Sequence, residues 1–165
     1  MKAQSFCEEF VAGRKALVLS TLDENGKVET STMPFAIRED GRLYILVSEL
    51  ALHTRNLLYL CSFERAETVV SGLLLEDEVQ SEQPFARQRI SFQARVAHLQ
   101  SESSEAQEAL ELLKSRFGEI VELLSGLGDF HLFSLQPFEG GYVKGFGQAY
   151  RFEGGFCNHL RPARN

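Results

Sequence analysis

Tryptophan is absent from this 165-residue chain, methionine occurs twice, cysteine three times and proline four times. So little proline excludes proline-rich linkers and collagen-like repeats, and 44% hydrophobic residues exclude a disordered chain. Long apolar runs are missing too. Nothing approaches the ~18 residues of a membrane-spanning helix, and Met1-Lys2-Ala3-Gln4-Ser5-Phe6 lacks the apolar core of a secretory signal, so no membrane partner is expected. Cys7, Cys61 and Cys157 are odd in number, widely spaced and form no C-x-x-C pair. Neither a disulfide framework nor a thiolate zinc site is expected from them, and a cytoplasmic location follows as the expectation.

Positive charge is scarce. Seventeen basic against 23 acidic side chains leave a net charge of −6. Nucleic-acid affinity comes largely from neutralising phosphates with Lys and Arg, so a nucleic-acid partner is excluded. Any anionic ligand has to be met by a local cluster of cations. Only four histidines (His53, His98, His131, His159) are available for metal or acid–base chemistry.

The length suits one domain over 1–165, with a short, irregular, basic tail from about residue 154. Ser5 and Glu8 fit a capping box that opens a helix ending at Gly13. Strands are expected at 16–21, 28–37 and 42–47, the first two joined by an Asn25-Gly26 hairpin turn and all three forming a meander. A helix over 48–60 follows, with Ser48 as its N-cap. Further strands are expected at 67–75 and 87–98, the latter alternating Ile90, Phe92, Ala94 and Val96 against Arg89, Ser91, Gln93 and Arg95. Residues 102–117 carry the helical stripe Ala106, Leu110, Leu113 and Phe117, and a short helix covers 119–124. Closing strands at 130–135 and 142–152 are joined by Pro137-Phe138-Glu139-Gly140-Gly141. Six or seven strands with three or four peripheral helices and no crossover helices early on make an antiparallel barrel, mainly β. A parallel nucleotide-binding sheet is excluded.

Several residues have the chemistry of a site, each with a plainer reading beside it. Gly145-Phe146-Gly147 lies in a strand-like run and is no dinucleotide fingerprint; it bares backbone to a flat ligand or marks a bulge. If Ser48 caps the helix, free first-turn amides can receive an anion with help from Arg55, or the segment with His53 and Leu57 is simply a packing helix. Arg87, Arg89 and Arg95 share one side of a strand, where they suit phosphate or carboxylate, or pair with the acidic loop at 76–78. His98 reads as an ordinary surface residue. Asp129 is placed two residues before His131 on one strand face, where it can orient an imidazole. His159 lies in the tail, free to reach a ligand.

Ala51-Leu52-His53-Thr54-Arg55-Asn56-Leu57, Phe85-Ala86-Arg87-Gln88-Arg89, Arg116-Phe117-Gly118-Glu119-Ile120, Asp129-Phe130 and Val143-Lys144-Gly145-Phe146-Gly147-Gln148-Ala149-Tyr150 occur in that order. With them the chain resembles the flavin-mononucleotide-binding split-barrel superfamily that contains pyridoxamine 5′-phosphate oxidases. More narrowly, it is similar to bacterial heme-utilisation proteins of the HugZ/HutZ type. The resemblance implies a homodimeric split barrel with ligand sites between subunits, and heme that is bound and in several members oxidatively opened. It implies a tail histidine as iron ligand, supported by an aspartate that Asp129 matches; His159-Leu160 matches the His-Leu step that precedes that ligand in the family tail, which leaves His159 to substitute for it. It also implies cofactor contacts from Ser48, His53, Arg55, Asn56, Arg87, Arg89 and Lys144. Arg164 stands where the family pattern has a second histidine. An FMN-dependent oxidoreductase and a carrier that binds heme or flavin without turnover remain the alternatives.

Overall fold

In the computed structural model, which describes residues 2–63 and 68–163, the Asn25-Gly26 turn joins β1 (Ala16–Leu22) to β2 (Val28–Pro34) as an antiparallel hairpin. Gly26 takes φ +79°, which L side chains rarely adopt, and the Asp23 carboxylate accepts from the amides of Asn25 and Lys27. The third strand of the expected meander meets only the end of the strand expected at 28–37, which is divided into β2 and a short β3 (Ala36–Ile37). After β3, β4 (Leu43–Ser48) turns away from β2 and pairs with β3 and β7 (Phe130–Gly145). The reason lies in its side chains: Leu43, Tyr44, Ile45 and Val47 are all buried, so both faces of β4 need cover. A hairpin partner at the sheet edge cannot supply that.

The remaining elements are α1 (Lys2–Gly13), α2 (Leu52–Cys61), β5 (Val69–Leu75), β6 (Arg89–Leu99), α3 (Ser104–Phe117), α4 (Ile120–Ser125), β8 (Gln148–Glu153) and β9 (Arg161–Pro162). The strand order is β2-β1-β5-β6-β7-β4-β3, with β8 on the second half of β7 and β9 on β8; every pairing is antiparallel. This is the antiparallel split barrel expected. Its interior holds Leu17, Leu19, Ile45, Leu74, Ile90, Phe92, Phe133 and Leu135. A smaller core forms where Ala106, Ala109 and Leu113 of α3 pack on Tyr44 and Leu132. Ser103 caps α3 by accepting from the Ala106 amide.

Four local expectations need correction. The helix α1 starts before Ser5, which lies inside it, so the capping box is not formed. Residues 137–141 do not break the chain into two strands: β7 runs through them, and the register slips between Gln93 and Ala94. Pro137, opposite Ala94, sits at that bulge, where its missing N–H is tolerated. The expected strand at 142–152 is a hairpin with Gly147 at φ +67° in its turn. The cysteine expectation changes as well, in the tail. Phe156 packs edge-on against Phe92 and Phe152, β9 pairs with β8, and Cys157 is bonded to Cys7 of α1, 150 residues away in sequence. The odd cysteine count hid a pair plus one free residue, Cys61, because sequence spacing carries no information about the 5.7 Å Cα–Cα approach. Arg164 lies outside the described residues.

Candidate functional site

The antiparallel pairing of β4 with β7 sets Ser48 opposite Phe130, and so beside the turn that carries Asp129. Ser48 Oγ donates to Asp129 Oδ2 at 2.7 Å and accepts from the Leu50 amide at 3.2 Å. The Glu49 amide donates to the Asp129 carbonyl at 2.8 Å. Ser48 is therefore not the helix N-cap. Ala51 takes that position, without a side-chain cap, and α2 begins at Leu52. The half-buried Asp129 carboxylate is left with Oδ1 uncommitted to any described side chain. Around it, Leu50 and Leu52 are 85% and 54% exposed, and Arg55 Nε donates to the Glu49 carbonyl.

Asp129 does not orient His131; Glu49 does. Glu49 Oε1 is 2.6 Å from His131 Nε2, and a carboxylate only accepts, so that nitrogen carries a proton. His131 Nδ1 then meets His98 Nε2 at 3.1 Å. His98 is no ordinary surface residue: its ring packs on Phe133 and His131, and burial, with His131 as the lesser cause, pushes its pKa below the usual histidine value. The Glu49–His131–His98 chain was invisible in sequence, since it depends on the register that brings β4, β6 and β7 together.

His53 and Asn56 serve the same helix differently. His53 Nδ1 shares a 2.8 Å hydrogen bond with Ser31 Oγ, and burial lowers its pKa. Asn56 is buried and donates to Thr21 Oγ1 at 3.0 Å. Both tie α2 to the β1–β2 hairpin.

Arg87, Arg89 and Lys144 gather at the opposite end of β7, and His159 stands apart from them on the tail. Arg87 Nε donates to the Glu76 carbonyl at 2.7 Å, and Arg89 donates to the Arg87 carbonyl at 2.9 Å. Of the two readings of this arginine pair, the structure shows Arg87 fastening the acidic 76–78 loop through its backbone. Arg89 lines a cavity of about 550 Å³ with Ser91, Gln93, Tyr150 and Arg151. Arg89 pairs with Val143 in the sheet, which places Lys144 nearby, its ammonium 3.2 Å from the Phe6 ring centroid. His159 follows the Phe156–Cys157 anchor and precedes Arg161, which pairs with Arg151 on β8. It is exposed, with φ +48°.

The chain thus splits the expected site in two. Ser48, Asp129 and Arg55 stand at one end of β7 and Arg89 and Lys144 at the other, while His159 stands on the tail beyond β8. Phe130 and Val143 are separated by roughly 40 Å of strand path at about 3.3 Å per residue. Within one chain the Asp129 carboxylate and the His159 imidazole are not brought together. Among the described residues no group of three or more His, Cys, Asp or Glu could hold a metal ion, and no helix is long and apolar enough to cross a membrane.

A family model described as pyridoxamine 5′-phosphate oxidase matches residues 4–144. The heme oxygenase HutZ of Vibrio cholerae is 40% identical over 147 residues, covering 89% of this chain and 79% of that protein. The crystal structure of HutZ, there described as the heme storage protein of Vibrio cholerae, aligns with a TM-score of 0.73 and 35% identity over 92% of this chain and 94% of that one. Campylobacter jejuni ChuZ aligns with a TM-score of 0.81 and 28% identity over 99% of this chain and 64% of that one. The matched stretch runs from α1 to Lys144 and takes in both ends of β7, so the chain belongs to the pyridoxamine 5′-phosphate oxidase family of split barrels, within the group that contains HutZ.

Proposed function

We propose that the protein is a heme-utilisation protein that binds heme between two copies of the chain, in the cytoplasm. The observation that carries this reading is the division of the site. One end of β7 offers a carboxylate with a free oxygen beside exposed Leu50; the other offers the cations Arg89 and Lys144, while the exposed His159 imidazole stands on the tail beyond β8. A two-fold axis that brings the first end of one chain to the second end of its partner completes a site in both halves at once.

The residues fit the group. Leu50 and Leu52 give a flat apolar ligand a surface, Arg89 and Lys144 suit its propionates, and His159 is the tail imidazole available as iron ligand. Asp129 of the partner subunit accepts the other ring N–H of that imidazole, which fixes its orientation and raises its basicity. Ser48 holds the carboxylate for that task by occupying Oδ2. Heme, when bound, supplies the iron and the macrocycle that is either stored or oxidatively opened. The two descriptions of HutZ, heme oxygenase and heme storage protein, correspond to those two outcomes.

Titration of the purified protein with ferric heme tests the reading. A saturable Soret shift at micromolar heme that His159→Ala weakens or changes supports it; no shift sinks it. Ascorbate and oxygen, with catalase present, then separate ring opening, seen as Soret loss, from storage. The flavin reading has less support: Ser48 caps no helix, Arg87 is spent on its own loop, and only the fold family favours FMN. Saturable quenching of FMN fluorescence would restore it.

A further inference from the structure

The tail that carries His159 is fastened by one covalent bond, and both its sulfurs are out of water. Cys7 and Cys157 are 0% and 1% exposed, and the bond joins α1 to the tail two residues before His159. The other fastenings of residues 154–163 are non-covalent: Leu160 packs against the core, and Arg161 and Pro162 pair with Arg151 and Tyr150 of β8. The Gly154 amide donates to the Phe138 carbonyl, Asn158 bonds Gly154 and Gly155, the Ala163 amide donates to the Ala149 carbonyl, and Phe156 packs against Phe92 and Phe152. Gly154, Gly155, Cys157 and His159 all have positive φ. For Cys157 and His159 that backbone shape is disfavoured and persists only while the surroundings impose it. In a cytosolic protein a disulfide is more often switched than permanent.

We propose that Cys7 and Cys157 form a redox latch on the tail: oxidised, it holds His159 where the partner subunit's site needs it, and reduced, it lets the tail leave. This rests on the heme reading for what His159 does, but not for the latch itself. Closure is exchange with a small-molecule disulfide. The thiolate of one cysteine attacks a sulfur of that disulfide and expels one small thiol, leaving a mixed disulfide. The second thiolate attacks the protein sulfur of the mixed disulfide and expels the other. Two protein thiols are oxidised, one small disulfide is reduced to two thiols, and the two protons pass to the departing thiolates. A small dithiol reverses both steps.

The approach to Cys157 is a cavity of about 310 Å³ whose lining includes Glu8, Glu39, Asp40 and Asn158. Its carboxylates outnumber its one cation, Arg38, and the Arg38 guanidinium holds Asp40 ionised, with its pKa lowered to about 2. Added negative charge on the attacking thiolate is repelled there, so dithiothreitol, whose thiolate carries a single negative charge, is expected to open the latch faster than the more anionic glutathione at equal thiolate concentration. Cys61 is the internal control: it is free, and burial raises its pKa.

The test uses the full chain in two states, air-oxidised and reduced with dithiothreitol that is then removed without oxygen. Thiol counting in denaturant is expected to give one thiol and three. Hydrogen exchange of residues 154–163 is expected to quicken at least tenfold on reduction, with β5 and β6 unchanged. Ferric heme is expected to bind at least fivefold more weakly to the reduced protein, Cys7→Ser to behave as reduced without reductant, and Cys61→Ser to behave as wild type. Three thiols in the oxidised protein, or equal exchange of the tail in both states, overturns the latch. Changed exchange with unchanged heme affinity overturns its link to His159. If neither state binds heme, the heme reading fails and tail exchange alone decides the latch.

Discussion

Ser48 Oγ and Asp129 Oδ2 are joined by a 2.7 Å hydrogen bond that ties the last residue of β4 to the turn entering β7. The bond leaves Oδ1 of the carboxylate free and fixes the direction in which it faces. A hydrogen bond to a charged acceptor is worth about 1.5–3 kcal/mol, and loss of an outer-shell partner typically costs roughly 10–100-fold in metal-site affinity or activity. Ser48→Ala is therefore expected to weaken ferric heme binding about tenfold, with the fold intact by circular dichroism. Ser48→Thr should restore most of it. A titration in which Ser48→Ala matches wild type would detach this serine from the site.

The cross-link between Cys7 and Cys157 has a stability consequence of its own. It constrains the unfolded chain over 150 residues of separation, and disulfides of this kind contribute roughly 2–4 kcal/mol. Cys7→Ser is expected to lower stability by about that amount in urea denaturation without reductant. The difference from wild type should vanish in dithiothreitol. A persistent difference under reducing conditions would show that Cys7 acts through packing alone.

Gly140 is the tightest backbone position in β7. A Cβ there would lie 2.2 Å from the Ser91 carbonyl oxygen and 2.5 Å from Phe152 Cζ. The aromatic ring can shift, but the carbonyl belongs to the paired strand. Overpacking typically costs ~1–3 kcal/mol, so Gly140→Ala is expected at the upper end, read as a lower urea midpoint. Gly145→Ala, which meets nothing within 4 Å, should be tolerated.

Acid should destabilise the fold through two histidines. His53 and His98 both have pKa values lowered in the folded state, chiefly by burial. Unfolded imidazoles near pKa ~6.5 bind protons more readily, so the stability held by the neutral rings is present above that pH and lost as pH falls below it. For His98 the facing groups are the His131 imidazole, itself held by Glu49, and the Phe133 ring, while Cys61 of α2 reaches only its backbone. Melting temperature is expected to fall between about pH 7 and pH 5, and His98→Gln should flatten the slope. An unchanged slope in that variant would remove His98 from the effect.

Local signals in the sequence were reliable where they depended on neighbours in the chain. The Asn25-Gly26 hairpin, the alternation of Ile90, Phe92, Ala94 and Val96, and the stripe of α3 all correspond to observed elements. Pairing between distant segments was not legible, which is why β4 was expected along the whole of 28–37 and is found between β3 and β7. Both histidine partnerships were missed for the same reason, because Glu49 reaches His131 only through that pairing. Pro137 and the glycines after it looked like a break, yet a bulge accommodates them inside one strand. Cys7 and Cys157 gave no sign of each other. The motif segments around Ser48 and Arg89 meet β7 near Phe130 and near Val143, a separation along the strand that only the fold shows.

Mixed dimers test the shared site most directly. Asp129→Asn and His159→Ala chains, each defective when paired with itself, are combined by co-expression with different affinity tags and titrated with ferric heme. In the mixed dimer one site keeps the Asp129 of one chain and the His159 of the other. The expected result is about half of the wild-type heme stoichiometry with the wild-type Soret spectrum, against little or none for either parent. A mixed dimer that binds no better than its parents would contradict a site built from two chains.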